Sequence, residues 1–208
     1  MDELREKVPF HCIITGPTNC GKTKYLTEQL RGPFRNVFDY IVLICPTYAS
    51  NKTYHGFAKG DKRFFVLSPD ASNSDEINDM LTDCATLFSG TNTLIILDDC
   101  AVSKDLKQRS NRFIDLAFSG RHIGLSVWVL TQQLTSIAKP FRENVACVVT
   151  FHNPSQLATK TLFEDYGGDL DVKTREKFAE LLKTEKYSRL CFCLRYPFQS
   201  YVEIPAVI

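Results

Sequence analysis

Nowhere in the 208-residue chain do 18 apolar residues follow one another, so no segment reads as a helix spanning a bilayer. Neither sign of charge prevails. Against 24 acidic residues stand 25 basic ones, for a formal net charge of +1. That total demands no polyanionic partner, although a local basic patch would be invisible in it. Histidine is scarce: His11, His55, His122 and His152 are scattered without metal-ligand spacing. There is no flexible linker, no internal repeat and no low-complexity tract. The first residues, Met1 to Lys7, are charged and lack the apolar core of a signal peptide. The protein is therefore expected neither to be secreted nor to engage a membrane.

What is present is the composition of a soluble globular protein, 44% apolar and 24% charged. The length suits a single domain over residues 1–208. Cysteine is plentiful, with Cys12, Cys20, Cys45, Cys84, Cys100, Cys147, Cys191 and Cys193 mostly in apolar segments. There a thiol behaves as a small hydrophobe, and free thiols in a reducing compartment are expected. Cys191-Phe192-Cys193 would be a zinc pair only with further ligands, and strand alternation places both on one face without any metal.

The chain is organised around Gly16-Pro17-Thr18-Asn19-Cys20-Gly21-Lys22-Thr23, which fits the phosphate-loop pattern G-x-x-x-x-G-K-[ST]. The apolar run Phe10 to Thr15 before it reads as a buried strand, and Lys24 to Leu30 after it reads as a helix. In that setting the loop's N–H groups wrap the phosphates of a nucleotide, and the helix N-terminus favours their negative charge. Lys22 would reach the β- and γ-phosphates and Thr23 would hold Mg2+.

Downstream, strands are predicted over Phe38–Cys45, Phe64–Leu67, Thr93–Leu97, Leu125–Leu130 and Val145–Thr150. Helices are predicted over Asp75–Phe88, Lys104–Phe118, Pro154–Phe163 and Val172–Leu182. Residues 47–62 read as a loop or short helix. Its basic residues Lys52, Lys59 and Lys62, with Arg63, are more simply a solvated surface than a nucleic-acid contact. Leu190–Leu194 alternates as an edge or added strand. Strands alternating with helices define an α/β fold, a phosphate-loop NTPase core with a mostly parallel sheet and helices on both faces. Phosphate sites in such sheets lie at the carboxyl ends of strands. The phosphate loop, Asp98-Asp99, Gln132 and Asn153 all follow strands.

Leu94-Ile95-Ile96-Leu97-Asp98 is an apolar strand ending in aspartate, the Walker B arrangement, so Asp98 would hold Mg2+ directly or through water. Asp99 is the candidate for polarising an attacking water. Alone, an acidic pair after a strand is as often a helix cap; the upstream loop makes it chemical. Gln132 or Gln133 offers an amide to sense the γ-phosphate or orient that water, Gln132 lying nearer the strand end; otherwise the side chain caps the next helix. The charge that develops on a transferred phosphoryl group calls for a cation, and Arg109, Arg112, Arg121 and Arg142 are candidates among arginines that are mostly just solvated.

Together, Gly16–Thr23, Leu94–Asp99, Gly120-Arg121-His122 leading to Leu130-Thr131-Gln132, and Pro140-Phe141-Arg142-Glu143-Asn144 resemble the FtsK–HerA superfamily of phosphate-loop ATPases. The chain looks most like the compact genome-packaging ATPases of large double-stranded DNA viruses and Polinton-like elements, over about residues 8–153. The resemblance implies ATP hydrolysis with Mg2+, a pentameric or hexameric ring, and double-stranded DNA threaded into a capsid with capsid or portal proteins as partners. It implies Lys22 and Thr23 at the nucleotide, Asp98 at Mg2+, Asp99 as base and Gln132 as sensor. It suggests Arg121 as the cation supplied to a neighbouring subunit, with Arg142 as runner-up. The setting implied is the host cytoplasm or nucleus where virions assemble, or the virion. The chain departs from the superfamily in carrying Asp99 where glutamate is frequent. Residues 154–208, outside the resemblance, would complete the sheet edge or dock to a capsid. Two other functions stay open: a small phosphate-loop kinase, for which no arginine-rich lid is evident, and a nucleotide-dependent assembly switch with little turnover.

Overall fold

Strands that are apolar on both faces belong in the middle of a sheet covered on both sides. The computed structural model, which describes residues 2–58, 61–70, 76–100 and 111–205, places them so. In chain order the strands are β1 (Cys12–Thr15), β2 (Tyr40–Ile44), β3 (Phe64–Leu67), β4 (Thr93–Asp98), β5 (Leu125–Thr131), β6 (Cys147–Phe151), β7 (Arg189–Cys193) and β8 (Gln199–Glu203). They form one sheet in the order β3-β2-β4-β5-β1-β6-β7-β8. From β3 to β6 every pairing is parallel, and β7 and β8 are added antiparallel. β1, β4, β5 and β6 are buried at every position.

The helices are α1 (Lys22–Arg31), α2 (Lys52–Ala58), α3 (Glu76–Leu87), α4 (Arg112–Ser119), α5 (Lys139–Glu143), α6 (Gln156–Tyr166) and α7 (Val172–Thr184). Alternation along the strands divides the apolar residues into two cores. Ile13, Ile95, Leu97, Val127, Val129 and Val148 face α3 to α7, while Ile14, Leu94, Ile96, Trp128, Leu130 and Val149 face α1 and α2. In the second core the rings of Phe10, Phe34 and Phe38 surround Trp128 at 5.4, 5.0 and 6.0 Å between centroids. Helix starts follow the expected chemistry: Asn111, Ser155 and Asp171 accept backbone N–H groups at the first turns of α4, α6 and α7.

The predicted α/β architecture is thus observed, with differences at particular elements. The stretch 47–62 holds a 3-10 turn (Tyr48–Ser50) and then α2. The helix predicted over Lys104–Phe118 is seen as α4 from Arg112, its first part lying outside the described residues. β7 is an added strand but not the edge, because β8 continues the sheet beyond it. The eight cysteines form no disulfide, and among the described residues no group of three or more His, Cys, Asp or Glu is placed to hold a metal.

His11 pins the amino-terminal end of β1 to β5. It is fully buried, and its Nδ1 accepts the Val127 N–H at 3.1 Å. Burial first, and then the positive charges of Arg121 and Arg195, hold its pKa down at about 4. The folded imidazole stays neutral in a range where the unfolded one takes a proton. Unfolding therefore takes up a proton between about pH 6.5 and 4, and stability falls as pH falls through that window. The loss should reach up to about 3 kcal/mol. In His11→Gln this slope should vanish, so the stability gap between wild type and variant narrows from pH 7 to pH 4.5. Urea unfolding at a series of pH values measures it, and an unchanged gap would refute the assignment.

Candidate active site

Parallel register sets the site. Thr15 at the end of β1 lies beside Thr131 of β5 and Thr150 of β6, and Asp98 of β4 lies beside Leu130 of β5. β5 runs between the strand that feeds the phosphate loop and the strand that carries Asp98. The loop leaves β1 through Gly16, whose N–H donates to the Thr131 carbonyl at 3.1 Å. A Cβ on Gly16 would stand 2.8 Å from Cys20 Sγ and 2.9 Å from Phe151 Cβ, so glycine is required for this close approach. Asn19 and Gly21 take left-handed backbone at φ 62 and 107, turning the chain into α1. Gly21 is the N-cap and offers no side-chain cap, which leaves the first turn without the usual internal acceptor for its N–H groups.

Lys22 is 9% exposed, and its ammonium donates to the carbonyls of Gly16 (2.8 Å) and Pro17 (2.9 Å). It lies folded over the loop that its own helix follows. Thr23 Oγ1 donates to Asp98 Oδ2 at 3.5 Å, a long contact. Asp98, 2% exposed, accepts a shorter bond from Tyr54 Oη, 2.7 Å, on the same oxygen. Burial pushes its pKa up to about 6, with the bond from Tyr54 and the nearby Lys22 charge working against burial and Asp99 adding to it. A buried carboxylate held above its ordinary range lacks enough positive charge around it. Hydroxyl and carboxylate oxygens are the hard donors that a magnesium ion takes, so the residues present fit that ion. Glycine clearance, loop N–H groups and Lys22 likewise fit a chain of phosphates.

Asp99 is exposed, sits at φ 56, and accepts from Thr47 Oγ1 at 2.8 Å. Gln132 and Gln133 are both exposed just past the end of β5. Asn153 accepts the N–H of Ser155 at 3.0 Å and serves the turn into α6. Beside this edge, a cleft of 840 Å3 opens between the end of β6 and helices α6 and α7, walled by Thr150, His152, Asn153, Phe163 and Lys183 among others. The phosphate loop is not among its walls, so we place the chemistry at the loop, where the charged groups converge.

The arginines separate. Arg121 is exposed in the 3-10 turn Gly120–Ile123 that precedes β5. It stands at the opposite end of β5 from Gln132, about 20 Å away at the rise of an extended strand. Arg142 is engaged within its own fold: its guanidinium bonds Asp165 and donates to the Ile137 carbonyl, clipping α5 to α6. Arg112 starts α4 with its Nε buried. Arg109 lies outside the described residues.

Tyr54 and Thr47 are site residues that the sequence reading missed. Both sit in the polar stretch after β2 and touch carboxylates 44 and 52 residues away, so no local spacing signals them. The only available hint was that this stretch follows a buried parallel strand at the same sheet edge.

A sheet of this order with a Gly16–Thr23 loop facing an aspartate across β5 defines a phosphate-loop NTPase fold. A family model described as poxvirus A32 protein matches residues 1–162, and the chain belongs to that family. Curated relatives named DNA packaging protein OPG160 include those of variola virus (27% identical over 158 residues, 72% of this chain and 56% of the relative) and vaccinia virus strain Copenhagen (25% over 152 residues, 70% and 54%). The chain spans about half the length of these relatives. Among solved structures, the DNA-packaging ATPase B204 from Sulfolobus turreted icosahedral virus superposes with a TM-score of 0.70 at 16% identity, covering 95% of this chain and 98% of that one. The packaging NTPase B204 of Sulfolobus turreted icosahedral virus 2, in complex with ATP-γS, gives 0.71 at 16% identity with the same coverage. These likenesses establish the fold, in keeping with the resemblance read from the motifs.

The Tyr54 bond favours the ionised form of Asp98, and a hydrogen bond to a buried charge is worth about 1.5–3 kcal/mol. Tyr54→Phe should therefore lose about that much stability at pH 7.5 in magnesium-free buffer. The raised carboxyl makes ionisation in the fold a cost that sets in as pH rises from about 4 through about 6. The effect of Tyr54→Phe should accordingly shrink at pH 5, where Asp98 is protonated. Equal losses at both pH values, measured by urea unfolding, would contradict this.

Proposed function

We propose that the protein is an ATP-hydrolysing motor that moves double-stranded DNA into viral capsids as a homo-oligomeric ring. The observation that carries the reading is the meeting of Thr23 and Asp98, 3.5 Å apart, at the foot of a phosphate loop on the same sheet edge as Asp99 and Gln132. Membership of the poxvirus A32 family, and relatives named for DNA packaging, support the substrate. The nucleotide-bound form of the B204 NTPase of Sulfolobus turreted icosahedral virus 2 supports ATP as the ligand.

In this reading the N–H groups of Gly16 to Thr23 hold the phosphates, and Lys22 exchanges its two loop carbonyls for phosphate oxygens. Thr23 and Asp98 would hold Mg2+, which when bound would supply neutralisation of the phosphates' negative charge. Tyr54 keeps the Asp98 carboxylate oriented. Asp99, steadied by Thr47, accepts the proton of the attacking water, and Gln132 senses the γ-phosphate from the end of β5.

Arg121 lies at the far end of β5 and serves a neighbouring subunit's phosphates. The engagement of Arg142 with Asp165 and Ile137 supports choosing Arg121 over it. The ring acts where virions assemble, in host cytoplasm or nucleus, with capsid or portal proteins as its docking partners.

The test is ATP turnover with and without long duplex DNA, read beside oligomer mass. Duplex DNA should raise turnover in the ring. Lys22→Ala should abolish turnover. Arg121→Ala should still bind ATP but lose turnover by about 10³-fold, the low end for such a cation. Mixing these two inactive proteins should restore part of the activity, because each subunit then supplies what the other lacks. No restoration would place the cation in cis or elsewhere, and DNA-indifferent phosphate transfer to a small acceptor would replace the motor with a kinase.

A further inference from the structure

The family match ends at residue 162, yet the chain beyond it returns to the phosphate loop. The turn between α7 and β7 brings Tyr187 against Gly21. A Cβ built on Gly21 would stand 3.6 Å from Tyr187 Cδ1 and 3.7 Å from Phe151 Cε1. Phe151 is buried, whereas Tyr187 is 47% exposed.

The turn that carries the ring is held in place by its surroundings. Tyr187 has φ 63, a left-handed conformation that is unusual for a bulky residue and persists only where the neighbours impose it. Those neighbours are fixed. The Ser188 N–H donates to the Glu185 carbonyl at 3.1 Å and its hydroxyl to the Leu181 carbonyl at 3.2 Å. Arg189 lies 4.4 Å from the ring centre of Tyr25 on α1, 3.8 Å from Glu28 of the same helix, and pairs with Glu203 of β8. The turn is thereby tied to the helix that follows the phosphate loop. The Lys186 ammonium stands over one face of the Tyr187 ring, 4.9 Å from its centre, so a base would stack on the other face.

We infer that Tyr187 is the stacking platform for the base of the nucleotide whose phosphates the Gly16–Thr23 loop holds. This rests on the nucleotide-binding reading proposed above. A nucleoside triphosphate seated on the loop projects its sugar and base past the first turn of α1, and Tyr187 is the exposed ring that borders that turn. Every base presents a π-face, so a ring of this kind adds affinity without choosing among bases. ATP and GTP should depend on it alike.

The experiment compares wild type, Tyr187→Phe and Tyr187→Asn by calorimetric titration with Mg-ATP and, separately, with Mg-tripolyphosphate, which has the phosphates but no base. Asparagine suits left-handed backbone, so that variant removes the ring without straining the turn. Tyr187→Asn should bind ATP about tenfold more weakly, the lower range for one stacked base, and bind tripolyphosphate as wild type does. Tyr187→Phe should bind ATP as wild type does. An unchanged ATP affinity in Tyr187→Asn, or an equal loss for both ligands, overturns the platform while leaving the phosphate loop intact. Failure of wild type to bind Mg-ATP overturns the nucleotide site itself, and the platform with it.

Discussion

The parallel register of β1, β5 and β4 is the constraint on which the site depends. Side chains alternate along a strand, so a slip of one residue would carry every side chain of that strand to the opposite face. Ile14, Leu130 and Ile96 would leave the core that holds Trp128 and exchange places with Ile13, Val129 and Leu97. Two apolar faces of different shape would have to swap contents. That penalty levels Thr15 with Thr131, and Asp98 with Leu130, and so brings the phosphate loop and the aspartate to one edge. Packing far from the chemistry thus determines a geometry that the polar residues alone would be too few to impose.

The polar groups work against that packing at one point. Asp98 is as buried as the aliphatic residues before it, and burial raises its pKa to about 6. Tyr54 and Thr23 both address Oδ2, and Lys22 is near enough to act through its charge while its own hydrogen bonds go to loop carbonyls. A cation would relieve the Asp98 carboxylate, and phosphates would draw Lys22 off the carbonyls. The Asp98 carboxyl therefore fits a divalent cation and the Lys22 ammonium a phosphate chain, the two groups on which the nucleotide reading rests.

The strongest local signals in the sequence were those whose meaning is local. Gly16 to Thr23 is legible because the loop's backbone needs its glycines in place, and Leu94 to Asp98 because a strand buried on both faces has to be apolar until it ends. The parallel core followed from the same logic. β8 was not legible: Gln199–Glu203 is only partly covered and carries too little apolar alternation to announce a strand. Tyr54 and Thr47 were not legible because their partners come from distant sequence and meet them only once the sheet has formed. The same holds for Arg142. Its partner Asp165 comes from α6, 23 residues on, so the contact between the two helices could not be read from its setting in Pro140–Asn144.

The segment beyond residue 162 is more than an extension of the sheet. β7 continues the sheet beside β6 and shields it from being an edge, and β8 pairs beyond β7. For that role alone, Arg189 would need only its pairing with Glu203. Instead its guanidinium also packs on Tyr25 and reaches Glu28, both on the helix that starts at Lys22. An arginine buried to this degree needs partners on more than one side to offset its desolvation, and here they are drawn from α1 and β8 together. Arg189 thereby links α1 to the start of β7, two positions after Tyr187. Residues outside the family match therefore pack on the helix that follows the phosphate loop.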